Sequence, residues 1–333
     1  MSTAFVFEGA PDHAYSGHPE HPDRLQAVIP MLASVKAEQI AARPATRDEV
    51  LRVHSPALIK LLEQACDRGE GIIDFAPTFV TRASLRAALR AAGGTLECAR
   101  LVLGGEARNA FAVVRPPGHH AEPGRAMGFC LLNNAAIAAA SGLDRGLSRV
   151  AIVDFDAHHG NGTQAAFLED QRVAYLSIHQ WGIYPGTGWL EEAPQARSRI
   201  VNVPLPELSG DRTYVRVLDE LVGPFLQRFR PELVLVSAGF DAHWSDPLTS
   251  LGLTAAGFHI LSERLVEYAE ECCAGRIVFV LEGGYDAANV ANGAKAVFAA
   301  LTRESFTDPG DASPHMEPEV GETLAAIRAL HRL

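Results

Sequence analysis

The chain has 333 residues, 47% of them hydrophobic and 21% charged, with 29 glycines and 20 prolines, a globular balance that excludes fibrous and disordered classes. A net charge of -11 argues against a nucleic-acid surface and mildly favours a cationic substrate or partner. Five cysteines (Cys66, Cys98, Cys130, Cys272, Cys273), odd in number and without CxxC spacing, indicate neither a disulfide framework nor a cysteine zinc cluster, and a reducing cytoplasm is the expected setting.

The opening Met-Ser-Thr-Ala-Phe-Val-Phe lacks the basic flank of a secretory signal, and no apolar run reaches the ~20 residues that span a bilayer, so no membrane insertion is expected. Short β-branched runs at residues 4–7, 111–114, 150–155, 173–179, 200–203, 233–238 and 276–282 predict strands buried on both faces. Residues 82–103, 133–141 and 255–272 have helical composition and spacing. The alternation predicts a three-layer α/β/α fold around a central, mostly parallel open sheet. There is no internal repeat, so residues 1–333 read as one domain. Within it, 308–318, rich in Pro, Asp and Gly, reads as a linker to a final packing helix that ends at 333. In open α/β sheets, binding sites lie beyond the carboxyl ends of the strands.

At one such end, Asp154, Asp156 and His158 alternate, and an extended strand would project all three to one side. That much buried polarity requires a cation or hydrogen-bond partners. A catalytic metal with an open position needs a third protein ligand, and Asp241, His243 and Asp246 all compete for it after the run 233–238. An Asp/His/Asp set suits zinc but also ferrous iron or cobalt. Arg115-Pro-Pro-Gly-His-His stiffens a turn bearing His119 and His120, which can serve as proton acceptor and electrostatic partner beside a metal-bound water. Tyr285, after two glycines at a strand end, can donate to a developing oxyanion.

In chain order, His18-Pro-Glu-His-Pro-Asp-Arg, Arg115-Pro-Pro-Gly-His-His, Gly128-Phe-Cys, Asp154-Phe-Asp-Ala-His-His-Gly-Asn-Gly-Thr, Ser177-Ile-His, Tyr184-Pro-Gly-Thr-Gly, Asp246-Pro-Leu and Gly283-Gly-Tyr resemble the histone deacetylase superfamily. The likeness is greatest to its class II and bacterial amidohydrolase branch. The resemblance implies the arginase/deacetylase fold and a zinc-dependent amidohydrolase acting on an acylated amine such as acetyl-lysine. It implies one Zn2+ per chain on Asp156, His158 and Asp246, with Asp241 and His243 in supporting places. It makes His120 the general base and acid, His119 its electrostatic partner, Tyr285 the group polarising the carbonyl, and Asp154 and Asn161 the groups orienting the two histidines.

The resemblance also implies a structural K+ near Asp154, Asp156, His158, Ser177 and the Ile178 carbonyl, and a second aligned with Phe167, Asp170, Val173 and Tyr214. Gly128, Phe129, Tyr184 and Gly283 would line the acyl tunnel, Arg24 an acetate-release cavity. Cys130, beside the tunnel, reads as a buried inert thiol. Polyamine-selective relatives carry an acidic gatekeeper seven residues past the last zinc aspartate; here that reckoning falls on Leu253, so acetyl-lysine peptides are expected to be better substrates than acetylpolyamines. Arginases share the fold class, but their second metal needs aspartates where this chain has Asn161 and His243, which argues against a binuclear site. A homo-oligomer is compatible with the sequence, as is a catalytically silent binding domain, against which the complete residue set speaks.

Overall fold

The computed structural model describes residues 2–307, 309 and 312–333. Ten strands occur among them: β1 (Thr3–Glu8), β2 (Ala37–Gln39), β3 (Gly71–Ile72), β4 (Phe79–Val80), β5 (Asn109–Val114), β6 (Val150–Asp154), β7 (Val173–Gln180), β8 (Ile200–Leu205), β9 (Leu233–Ala238) and β10 (Ile277–Leu281). Eight form one sheet in the order β2-β1-β5-β10-β9-β6-β7-β8, every neighbouring pair parallel, while β3 and β4 make a separate two-stranded ribbon.

The alternation of the apolar runs explains the layering. Along β5, Phe111 and Val113 pack into one apolar layer, with Phe240, Phe258, Phe279 and Phe298. Ala110, Ala112 and Val114 pack into the opposite layer, with Val6, Ile152 and Tyr175. A parallel sheet covered on both faces needs near-continuous hydrophobic strands, and β5, β6, β7, β9 and β10 are buried at every residue. The helices Ser84–Leu103, Asn134–Asp144 and Ala255–Cys273 lie where the sequence predicts them. The final helix spans Gly321–His331; of the expected linker, positions 308, 310 and 311 lie outside the described residues.

Besides the short helices Val28–Leu32, Arg47–Leu51 and Asn161–Phe167, three longer helical segments escaped the sequence reading, two of them with marked starts. Pro56–Arg68 opens with a Ser55 cap and a first-turn proline, and Ala287–Thr302 opens with an Asp286 cap. The third segment, 211–229, passes through a π turn. β2, with the composition Ala-Glu-Gln, is a polar edge strand, invisible to a search for apolar runs.

The loops that follow β5, β6, β9 and β10 all emerge at the carboxyl edge of four adjacent strands. That edge carries the site.

Candidate active site

β6 stops at Asp154, earlier than the extended run the sequence implied. The chain turns there, and Asp156 Oδ1 accepts the His158 amide at 2.9 Å. Asp154 and Asp156 therefore serve different neighbours. Asp154 Oδ2 lies 3.0 Å from His119 Nδ1 and accepts the Tyr175 hydroxyl at 2.9 Å. Asp156 Oδ2 accepts the Gly283 amide at 2.8 Å.

The acidic partner of Asp156 and His158 is Asp241. Donor atoms of these three buried residues lie within 4.8 Å of one another. His158 Nδ1 is 3.1 Å from Asp156 Oδ1 and 3.0 Å from Asp241 Oδ2. Asp246, the third ligand implied by the resemblance, lies outside that spacing but beside the cluster, its carboxyl pushed up to about 7 by burial and by Asp241. Its Oδ1 accepts the Leu248 amide at 2.9 Å and its Oδ2 the Tyr285 amide at 2.8 Å, so it braces the tyrosine's backbone. The signal for Asp241 was present: Asp-Ala-His occurs twice, at 156–158 after β6 and at 241–243 after β9, and those strands are paired. His243 of the second copy turns to the core and stacks near Phe258.

Two carboxylates crowd this cluster, and the Asp241 carboxyl is pushed upward by burial and by Asp156. Such a set fits a divalent cation, which relieves that repulsion. The turn after β10 closes over it. A Cβ on Gly283 would stand 2.2 Å from Asp241 Oδ2 and 2.6 Å from Asp156 Oδ2, so only glycine fits. Gly283 thus backs the acidic cluster rather than lining the tunnel.

The histidine pair is fixed from behind. His120 Nδ1 is 2.8 Å from Asn161 Oδ1, and the Asn161 amide donates in turn to Glu122 at 2.9 Å, which sets its orientation. Burial drives the His120 imidazolium well down, and His119 and His158 lower it further, so the ring is neutral. Burial also opposes charge on His119, but Asp156 and Asp154 outweigh it and hold His119 well above the ordinary histidine value. Glu282, which the sequence reading passed over, supports both histidines. Its Oε2 accepts the amides of Gly118 and His119 at 2.6 and 3.1 Å, and its Oε1 accepts Ser237 Oγ at 3.0 Å.

Arg24 donates to the carbonyls of Gly284 (2.5 Å) and Glu282 (2.6 Å) and to Glu20 (2.9 Å), with its guanidinium 5.1 Å from the centre of the Tyr285 ring. It pins the tyrosine turn.

The pocket above measures about 260 Å³ and is lined by Ala76, His120, Gly128, Phe129, His158, Tyr184, Leu248 and Tyr285. Gly128 sits at φ 57°, and a side chain there would strike the His120 ring. The Phe129 and Tyr285 rings meet edge to face at 5.9 Å, and Tyr184 meets His120 the same way at 5.0 Å. Leu253 is not at the mouth: it is fully buried and bridges to His243. Seven residues past Asp241 stands Leu248, 41% exposed on the rim. Cys130 is buried, its thiol raised well above the usual range by burial.

Of the residues implied for the first potassium, Asp154 and Ser177 are paired in the β6–β7 register and Ile178 is next along β7. The residues of the second set do not all lie together. Tyr214 packs in the apolar layer on the opposite face of the sheet from Phe167 and Val173, and the Asp170 carboxylate is engaged by Arg172 at 2.9 and 2.7 Å.

The family model described as "Histone deacetylase domain" matches residues 18–301. The chain belongs to the histone deacetylase family. It is 44% identical over 276 residues to a "Probable deacetylase" of Archaeoglobus fulgidus, covering 80% of this chain and 76% of that protein. It is 37% identical over 307 residues to a "Histone deacetylase-like amidohydrolase" of Pseudomonas aeruginosa, covering 89% and 80%. The crystal structure of the HDA15 HD domain superposes with a TM-score of 0.89 at 34% identity, over 99% of this chain and 96% of that one. As a histone deacetylase family member the protein is a deacetylase-type amidohydrolase of acylated substrates, and its sheet is the arginase/deacetylase fold.

Proposed function

We propose that the protein is a zinc-dependent deacetylase that hydrolyses the acetyl amide of a lysine-like amine. The observation that carries this reading is the convergence of Tyr285 and a neutral His120, its Nδ1 committed to Asn161, on the pocket that His158 closes. A divalent ion held by Asp156, His158 and Asp241 would lend Lewis acidity to the acyl carbonyl and to the attacking water. His120 takes the proton of that water on its remaining ring nitrogen and passes it to the departing amine. The Tyr285 hydroxyl donates to the oxygen that gains charge. His119, charged by Asp154 and Asp156, adds a positive field behind His120. Asp154, Asp156, His158, Ser177 and Ile178 would hold one potassium ion close to this cluster.

Leu248 at the mouth offers no counter-charge to a distant ammonium, which favours acetyl-lysine peptides over N8-acetylspermidine or acetylputrescine. The test is turnover of a fluorogenic acetyl-lysine peptide by metal-stripped protein titrated with Zn2+. Activity returning at about one equivalent per chain supports the proposal. Activity requiring two equivalents, or none with any acylated amine, overturns it.

A further inference from the structure

We infer that Arg199 is a tethered cation occupying the place where the family resemblance puts a second potassium ion, so that this chain has one dissociable monovalent-cation site and not two. The carbonyl oxygens of Phe167 and Val173, both in the implied potassium set, accept hydrogen bonds from one Arg199 Nη at 2.7 and 2.8 Å. The other Nη donates to the Leu168 carbonyl at 2.6 Å. Phe167 and Leu168 end the helix Asn161–Phe167, where carbonyls have no partner within the helix and the helix dipole is negative. A single positive charge thus satisfies the end of that helix and the first residue of β7. The arginine is itself anchored at the entry to β8, where its carbonyl accepts the Tyr175 amide at 2.8 Å. The planar guanidinium fills the position with directed N–H groups, leaving the Phe167 and Val173 oxygens turned toward nitrogen.

The helix so fastened bears Asn161, the partner of His120, on its first turn, and the amide of Thr163 donates to the His119 carbonyl at 3.1 Å. Arg199 thus fastens the far end of the seven-residue helix that makes these contacts.

The distinction is thermodynamic. A dissociable ion stabilises a protein in proportion to the logarithm of its concentration above Kd, whereas a tethered charge contributes independently of the salt chosen. Melting temperatures of the native chain, Arg199→Ala and Arg199→Lys are measured in choline chloride and again with potassium chloride replacing it at constant ionic strength. The potassium response of the Asp154–Ser177 site is common to all three and cancels in the difference. Arg199→Ala should melt several degrees lower in choline, and potassium should recover part of that loss as an increment absent from the native chain. Arg199→Lys, whose single ammonium cannot span three carbonyls, should fall between. Equal potassium increments in native and Arg199→Ala proteins overturn the inference, as does an Arg199→Ala protein that melts in choline like the native one. Should Arg199→Ala fail to fold, the Arg199→Lys comparison decides alone: an increment equal to the native one overturns it.

Discussion

At the inner end of the pocket Asp154, Asp156, Asp241 and Glu282 are buried, and each faces two or more hydrogen-bond partners. At the mouth Leu248 stands 41% exposed, and Phe75, its ring 6.2 Å from that of the lining Tyr184, 80%. The inner residues are cross-braced: Glu282 holds the loop of the histidines, Asp246 holds the tyrosine turn, and Arg24 holds that turn from the other side. A buried polar network of this kind tolerates little loss, because each partner removed leaves another charge or amide unsatisfied. The mouth side chains are bound by nothing comparable. Changes to the inner end should therefore destroy the reaction, and changes to the mouth should redirect it.

The largest effect expected separates two aspartates. Asp241→Ala should lose the metal and bring turnover to background, whereas Asp246→Ala should retain the metal and lose rate through a displaced Tyr285. Elemental analysis of both variants checks this; metal retained by Asp241→Ala and lost from Asp246→Ala would break the comparison at its inner end. Next, Tyr285→Phe removes a hydroxyl and nothing else, so kcat should fall by roughly 10²-fold with metal content unchanged. A fully active Tyr285→Phe protein would leave the oxyanion without its assigned donor.

Leu248→Glu tests the mouth. It should leave hydrolysis of a neutral acetyl-lysine peptide near its native value and raise relative kcat/KM for N8-acetylspermidine by about tenfold, the ratio worth ~1.4 kcal/mol. An unchanged ratio would show that selectivity is set elsewhere.

The smallest effect concerns acid. Burial holds the His54 pKa down at about 4 against the Glu122 carbonyl, 3.1 Å from Nδ1, and Nε2 accepts the Asn133 amide at 2.8 Å. An unfolded histidine binds its proton near pH 6.5. As pH falls from about 6.5 to 4, the unfolded chain gains a proton that the native one refuses, and stability declines. Above that window the group contributes no slope. The loss is on the order of 3 kcal/mol at the acid end, and His54→Gln should flatten the decline measured by urea unfolding at pH 7, 5.5 and 4.5.

What the sequence could disclose follows from how each part is determined. The strands were legible because a sheet buried on both faces demands apolar residues at every position, and β2 was not, because an edge strand is free of that demand. His119, His120, Asp156, His158 and Tyr285 stand in compact motifs within a few residues of strand ends, so residue order alone located them. The choice between Asp241 and Asp246 depends on which way a loop folds over five residues, and spacing along the chain does not encode that. Leu253 is buried and Leu248 lines the pocket because of how that loop folds, which spacing does not encode either. Arg199 was missed because its partners are carbonyl oxygens, which no side-chain motif records.

The position of β10 carries a consequence for assembly. It is the last strand of the sheet in the chain, yet it lies at the centre, between β5 and β9. Without it the sheet is two separate fragments, one ending in the loop of His119 and His120, the other carrying Asp156, His158 and Asp241. On the ribosome both fragments are complete before residue 277 is made, and neither can bring its residues to the other. The final strand is a keystone: as it enters, it joins the two halves and delivers Glu282, Gly283 and Tyr285 into the gap. A nascent chain is thus withheld from catalysis until synthesis has passed residue 285.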